Sequence, residues 1–161
     1  MLAFAGGRES GGNNNKENKM SKLKFDDGIK SYDVNGVLDA LRFNPTDEAF
    51  LKRLFTSLKN LDEIQDIYKT KLDAIDDGDI DGILAIGDAL SEDMRKEIDK
   101  AFGYEVPVEI WNGQSLYAMS NGMPIWCHFL LMVMDECYDA QGREQKAVSP
   151  ALARIKKKYK K

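Results

Sequence analysis

Histidine and cysteine are scarce in this sequence, and their scarcity limits the chemistry open to it. The 161 residues include one histidine, His128, and two cysteines, Cys127 and Cys137. A single histidine excludes multi-histidine metal sites and leaves one residue for a nucleophile–base pair. His128 lies among apolar residues of a predicted helix, as a core histidine does. The cysteines would lie about 15 Å apart along that helix, too far for a disulfide, so we expect free thiols in a reducing cytosol.

Long hydrophobic runs and catalytic motifs are also missing. The longest apolar run, residues 123–134, is interrupted by His128, and a membrane span needs about 20 residues. Residues 1–5 are too short for the apolar part of a secretory signal. No phosphate-binding glycine loop, dinucleotide fingerprint or zinc-ligand spacing occurs. We therefore predict a cytoplasmic protein that is not an enzyme, needs no cofactor and has no membrane partner.

Positive charge is concentrated at one end of the chain. The net charge is −4, although residues 154–161 carry six basic side chains. An acidic body with a basic tail can act as a handle for an acidic partner, or it can simply keep the molecule soluble. Nucleic acid is not an expected partner, because the body is acidic and Tyr159 is the only aromatic residue among the lysines.

Composition divides the chain into three parts. Residues 1–19 consist mostly of glycine, asparagine, serine and charged residues, and we predict a disordered N-terminal extension there. Residues 20–148 have the length and apolar content of a single globular domain. Residues 149–161 are predicted to form a basic C-terminal helix or tail.

The globular part is predicted to be α+β and mainly helical, with a small N-terminal antiparallel β-meander followed by a bundle of about four helices. Two turn signals, Asp27-Gly28 and Asn35-Gly36, favour tight hairpins. They separate three predicted strands, which cover residues 22–26, 29–34 and 37–43.

Apolar residues at helical spacing, together with capping signals, predict the helices. Asn44-Pro45 is a start signal for the first helix, and Gly103 is a stop signal for the second, which could restart after Gly87. Residues 104–122 are predicted to be irregular, apart from a second hairpin that pairs residues 108–111 with 115–118. The predicted helices cover residues 46–75, 83–102 and 125–140, and a short fourth helix starts at Ser149-Pro150.

One acidic segment has the spacing of a calcium-binding loop. Asp77, Asp79, Asp81 and Asp88 fall at the first, third, fifth and twelfth positions of a twelve-residue loop, and Gly82 falls at the sixth. Calcium sites place oxygen ligands at this spacing because the loop wraps one hard cation. The final aspartate is shorter than the usual glutamate, and no second loop is present to pair with. A plain acidic linker without a metal is the preferred interpretation, and a calcium-binding regulator is the alternative.

Five apolar residues are candidates for a groove that captures an aliphatic segment of another protein. They lie on the first and third predicted helices, and each is also suited to an ordinary core position. The candidates are Phe50, Leu54, Leu58, Trp126 and Leu130.

Several short motifs occur in an order that resembles a known family. They are Phe43-Asn44-Pro45-Thr46-Asp47, Asn121-Gly122-Met123-Pro124-Ile125-Trp126-Cys127, Met134-Asp135-Glu136, Arg143-Glu144-Gln145-Lys146 and Ser149-Pro150 before a basic end. In this order, from Ile29 to Lys161, the chain is similar to small tail-region proteins of tailed phages and prophages of Gram-positive hosts. The segment 76–87 departs from that pattern, because a plain charged helix would be expected there.

The resemblance implies a role in tail morphogenesis in the cytoplasm of the host cell. Members of the family are encoded among tail genes, so this chain is expected to be an assembly chaperone for the tape-measure or tail-tube protein. The alternatives are a structural subunit of the virion tail and the calcium-binding regulator. A homo-oligomer is open, and no catalytic residues are carried over.

Overall fold

The computed structural model describes residues 20–159, with side chains described as far as Glu144. The predictions for residues 1–19 and for the side chains of the basic tail therefore lie outside the described residues. The fold is α+β, as the sequence predicts, and the order of its elements is β1 (Lys30–Val34), β2 (Val37–Phe43), α1 (Glu48–Asp73), α2 (Ile80–Phe102), a 3-10 helix (Val108–Trp111), β3 (Met119–Ser120), β4 (Met123–Pro124) and α3 (Ile125–Tyr159).

The N-terminal sheet is a two-stranded antiparallel hairpin. Its turn is formed by Asn35 and Gly36, with φ of 50° and 84°, which is the conformation that asparagine and glycine adopt most readily. The pairing is irregular between Tyr32 and Val34, and Asp39 on the opposite strand has φ of 56°. The hairpin therefore contains a bulge, which is a common device for bending a strand pair.

The third strand predicted at residues 22–26 is wrong, because the chain there is not paired with any described strand. The carboxylates of Asp26 and Asp27 accept hydrogen bonds from the backbone N–H groups of Gly28 and Ile29, at 3.0 and 3.1 Å. These local side-chain turns satisfy the backbone without returning it along a neighbouring strand. Residues 20–25 consequently extend from the hairpin as an irregular segment, which we call the N-terminal arm.

Helices α1 and α2 form an antiparallel pair joined by a short acidic loop. Asp47 caps α1 by accepting from the N–H of Ala49 at 2.9 Å, so the helix begins later than the predicted start at residue 46. Asp79 caps α2 by accepting from the N–H of Gly82 at 2.9 Å. The prediction that Gly103 ends α2 is confirmed, with φ of 84°. The sequence left open a restart of this helix after Gly87, but α2 runs through that position without interruption.

The second predicted hairpin is also wrong in position. Residues 108–111 form a 3-10 helix, and the short strand pair instead flanks the turn at Asn121 and Gly122. The first two backbone N–H groups of α3 donate to backbone carbonyls in the segment just before β3. Ile125 donates to the carbonyl of Ala118 at 2.7 Å, and Trp126 donates to that of Leu116 at 3.0 Å.

The third and fourth predicted helices are one continuous helix, so the described chain contains three α-helices. Residues 141–148 are mostly good helix formers, and Gly142 costs only about 1 kcal/mol in a helix interior. Nothing therefore ends α3 before Ser149-Pro150, and the helix runs through this pair to Tyr159.

The core lies where the hairpin and the 3-10 helix meet the three helices. Seven aromatic rings contact one another in and beside it, and Phe43 stacks on Phe50 with 4.7 Å between ring centroids. Polar contacts fix the helices on either side, and the indole N–H of Trp126 donates to the side-chain oxygen of Gln65 at 2.7 Å. None of the helices in the described chain has the length and apolar content to cross a membrane. The largest fully buried side chains are Leu41, Leu54, Leu61, Met94, Ile98, Ile110, Leu116, Leu130, Val133 and Cys137.

Candidate binding surface

The five candidate partner-binding residues lie inside the molecule and do not form an exposed groove. Leu54 and Leu130 are 0% exposed, Phe50 and Trp126 are nearly as inaccessible, and Leu58 is half-buried against the same core. Helical spacing could not distinguish a face that covers the protein's own core from a face that waits for a partner. The five residues are therefore part of the core or packed against it.

An open cleft lies between the hairpin turn, the 3-10 helix and the beginning of α3. Its volume is about 250 Å³, and we call it the His128 cleft. Its walls come from segments that are far apart in sequence, which is why no local pattern revealed them. The apolar lining consists of Val34, Ile110, Trp111, Ile125, Phe129 and Met132, and the polar lining of Asn35, Asn112, Gln114, Ser120 and His128.

The shape of the His128 cleft is maintained by hydrogen bonds that join its walls. The amide of Asn35, in the hairpin turn, donates to the backbone carbonyl of Ile110 at 3.0 Å. The ring nitrogen Nε2 of His128 lies 2.6 Å from the backbone carbonyl oxygen of Ser120, so the proton is on Nε2 and the imidazole donates. The first bond joins the hairpin to the 3-10 helix, and the second joins α3 to β3. The cleft is therefore largely pre-formed.

His128 differs from its sequence interpretation as a core histidine. It is half-buried and borders the cleft, and it is the only ionisable side chain among the described residues that line it. No carboxylate lies in this lining to orient or activate the imidazole, as a nucleophile–base arrangement needs. The arrangement instead offers an apolar floor with neutral hydrogen-bonding groups at its rim, which suits binding.

A second concave surface adjoins the cleft on the other side of Val34 and Met132, which line both. It has a volume of about 300 Å³, and we call it the acidic groove. Its floor is apolar and its rim carries four carboxylates. The lining consists of Tyr32, Val34, Leu41, Phe43, Met132 and Val133 with Asp33, Asp135, Glu136 and Asp139.

One rim carboxylate of the acidic groove is held by neighbouring side chains. Glu136 accepts from the hydroxyl of Tyr32 at 2.7 Å and from the guanidinium of Arg143 at 3.0 Å. Burial raises the pKa of Tyr32 well above its ordinary value, and the hydrogen bond to Glu136 raises it further. By contrast, no ion pair involves Asp135 or Asp139 among the described side chains. They are exposed and one helical turn apart, so their charges repel each other.

Large apolar side chains are exposed both at these two surfaces and in the N-terminal arm. Met132 is 44% exposed at the boundary between the cleft and the groove. In the arm, Leu23 is 99% and Phe25 is 82% exposed. Leu23 and Phe25 lie two residues apart, so the arm carries a local apolar patch of the kind that is covered in an assembly.

The acidic segment after α1 does not have the geometry of a calcium loop. Helix α2 begins at Ile80, so Asp81 and Asp88 belong to the helix, whereas a calcium loop continues past its middle before the second helix starts. The carboxylate of Asp79 is engaged as the cap of α2. Among the side chains described, those of residues 20–144, no group of three or more metal-binding residues is placed to hold an ion.

The two cysteines are separate thiols, as their spacing predicts. Cys127 is half-buried and Cys137 is buried, and both are free. Burial raises the pKa of the Cys137 thiol to about 11, and the nearby charge of Glu136 adds to the effect. Burial also raises the pKa of Cys127. Neither environment activates a thiolate, which needs a lowered pKa.

Comparisons with protein-family models, with curated proteins and with solved structures each found no match to this chain.

Proposed function

We propose that this chain is a protein-binding subunit of phage or prophage tail morphogenesis, which acts in the host cytoplasm as an assembly chaperone for the tape-measure or tail-tube protein. The observation that supports it is the His128 cleft, a pre-formed apolar depression that opens to solvent and has hydrogen-bonding groups at its rim. The order of sequence motifs supplies the tail context, and the cleft supplies the means of binding.

The size of the cleft favours a protein side chain over a larger ligand. Sites for small molecules usually have volumes of about 300–1,000 Å³, and the His128 cleft, at about 250 Å³, is below this range. A cleft of this size accepts one or two apolar side chains. The buried rings of Trp111 and Phe129, which are tilted 58° to each other, give it a rigid aromatic floor for such an anchor.

The rim of the cleft suits the backbone of an extended client segment. Asn112 and Gln114 are exposed there, and their amides can donate to and accept from peptide groups. An extended segment points alternate side chains in opposite directions. One side chain would therefore enter the cleft while its neighbours remain in solvent or contact Met132. Such binding would shield an apolar segment of the client until the client joins the tail.

Binding assays with purified tail proteins test the proposal. The genes beside the one that encodes this chain identify the tape-measure and tail-tube proteins to use. Binding to fragments of these proteins is measured by calorimetry with the full chain, and we expect at least one fragment to bind. Failure of every neighbouring tail protein to bind, or the absence of tail genes nearby, would contradict the proposal.

A substitution in the cleft tests whether it is the binding site. His128→Glu places a negative charge in the apolar cleft, which is costly to bury on binding, and we expect affinity for the client to fall at least about tenfold. Tyr138→Glu is the matched control, because Tyr138 is on the same helix, is 81% exposed and lines neither the cleft nor the groove. A chaperone should also be missing from purified particles, whereas a structural tail subunit would be found in them by mass spectrometry.

A further inference from the structure

We propose that the acidic groove binds the N-terminal arm of a second copy of this chain, so that the protein associates with itself by exchanging arms. This surface is distinct from the His128 cleft, and the self-association does not depend on the identity of the tail client. The proposal rests on the match between the chemistry of the arm and that of the groove.

The arm has the features of a segment that is covered in an assembly. No hydrogen bond among the described residues involves residues 20–25, and all six are exposed. Their sequence alternates, with Leu23 and Phe25 separated by one residue and flanked by Lys22 and Lys24. In an extended conformation, the two apolar side chains share one face and the two lysines share the other.

The groove offers the complementary arrangement. Leu41, Phe43 and Val133 form its buried apolar floor. The accessible apolar surface above this floor comes from Met132, which is 44% exposed, and from half-buried Tyr32, and these side chains would contact Leu23 and Phe25. The long lysine side chains can bend from the opposite face of the arm toward the carboxylates at the rim. A cation between Asp135 and Asp139 would also relieve the repulsion between these two charges.

A second copy is the source of the arm in this proposal, because residues 20–25 do not line the groove of their own chain and remain exposed. The arm is anchored at its base, where the amide of Asn44 donates to the carbonyl of Asp27 at 3.1 Å, and it leaves its own groove open. Six extended residues span about 20 Å, which is enough to cross to a neighbouring molecule. Reciprocal exchange between two copies buries both arms in one closed assembly.

The apolar part of the contact is tested by analytical ultracentrifugation of the full chain. We expect the wild-type chain to self-associate and the double variant Leu23→Asp/Phe25→Asp to dissociate at least about 100-fold more readily, since two large apolar side chains lose their cover. These side chains are 99% and 82% exposed, so the substitutions should leave the fold unchanged, which circular dichroism checks. Leu84→Asp is the matched control, because Leu84 is 61% exposed on α2 and lies outside the groove.

The charged part is tested by exchanging the signs of the two surfaces. Lys22→Glu/Lys24→Glu and Asp135→Lys/Asp139→Lys should each weaken self-association at least about tenfold, because attraction becomes repulsion. An equimolar mixture of the two variants should associate again, since each arm then meets a groove of opposite charge.

Three results would overturn the proposal. The first is that the wild-type chain stays monomeric at the highest soluble concentration. The second is that Leu23→Asp/Phe25→Asp leaves the assembly intact. The third is that the two charge variants do not associate when they are mixed. Loss of client binding in the His128→Glu variant with unchanged self-association would separate this proposal from the proposed function.

Discussion

Replacing Gly87 by alanine provides a quantitative test of the packing between α2 and Tyr117, which lies between the 3-10 helix and β3. Gly87 is in the interior of a continuous helix, where alanine is more favourable than glycine by about 0.5–1 kcal/mol. A Cβ atom at this position, however, would lie 2.5 Å from the hydroxyl oxygen of Tyr117 and 3.6 Å from the ring carbon that carries it. The first distance is a clash and the second is an ordinary contact.

The two effects should oppose each other in the wild-type background. Tyr117 is packed against the core, so its ring cannot withdraw freely, and Gly87→Ala should change the free energy of unfolding by roughly zero. In a Tyr117→Phe background the hydroxyl is absent, and the same substitution should stabilise the protein by about 1 kcal/mol. The described residues provide no hydrogen-bond partner for this hydroxyl, so Tyr117→Phe alone should cost little.

Urea unfolding of the four proteins of this double-mutant cycle measures the coupling. We expect a coupling free energy of about 0.5–1 kcal/mol between the two positions, with unchanged dependence on denaturant. A gain of about 1 kcal/mol from Gly87→Ala in both backgrounds would refute the reasoning, because it would mean that the hydroxyl does not occupy the space beside the glycine.

Four further predictions follow from burial and charge. The pKa of Tyr32 is raised above 10.0 in the folded state. The contribution of the protonated Tyr32 hydroxyl to stability should therefore be complete below pH 10.0 and lost as the pH rises through the folded-state pKa of Tyr32. Tyr32→Phe should remove this loss. Cys137 should react with a thiol reagent only on unfolding, which a Cys127→Ser variant would show without interference. Leu54→Ala should lower the free energy of unfolding by about 2–5 kcal/mol in urea titrations, because it leaves a cavity in the core. Calorimetry should detect no binding of calcium to residues 77–88, and heat with a rise in melting temperature would contradict the loop geometry.

Local chemistry accounts for the parts of the fold that the sequence predicts well. The end of α2 at Gly103 follows from the left-handed conformation that glycine adopts readily. The hairpin turn at Asn35-Gly36 follows from the positive φ that both residues tolerate. The strand predicted before the Asp27-Gly28 turn is absent, because aspartate side chains can satisfy the backbone of a turn without a paired strand. The separate fourth helix predicted to start at Ser149-Pro150 is wrong, because a helix-start signal does not itself end the preceding helix.

The candidate site could not be predicted in the same way. The His128 cleft is formed by Val34, the 3-10 helix and the beginning of α3, and only the tertiary fold brings these segments together. The apolar stripe that contains Leu54 predicted a helix correctly but not its role, because core faces and binding faces have the same spacing. Exposure distinguishes the two, and exposure depends on what the rest of the chain covers.

Hydrogen–deuterium exchange of the full chain, with and without the client fragment that binds most tightly, tests the central claim most directly. If the His128 cleft holds the client, protection should increase in residues 108–114 and 125–132, while the loop between α1 and α2 remains unchanged. Protection confined to α1 and α2, or no change in either segment of the cleft when the client is bound, would contradict the assignment of the cleft as the binding site.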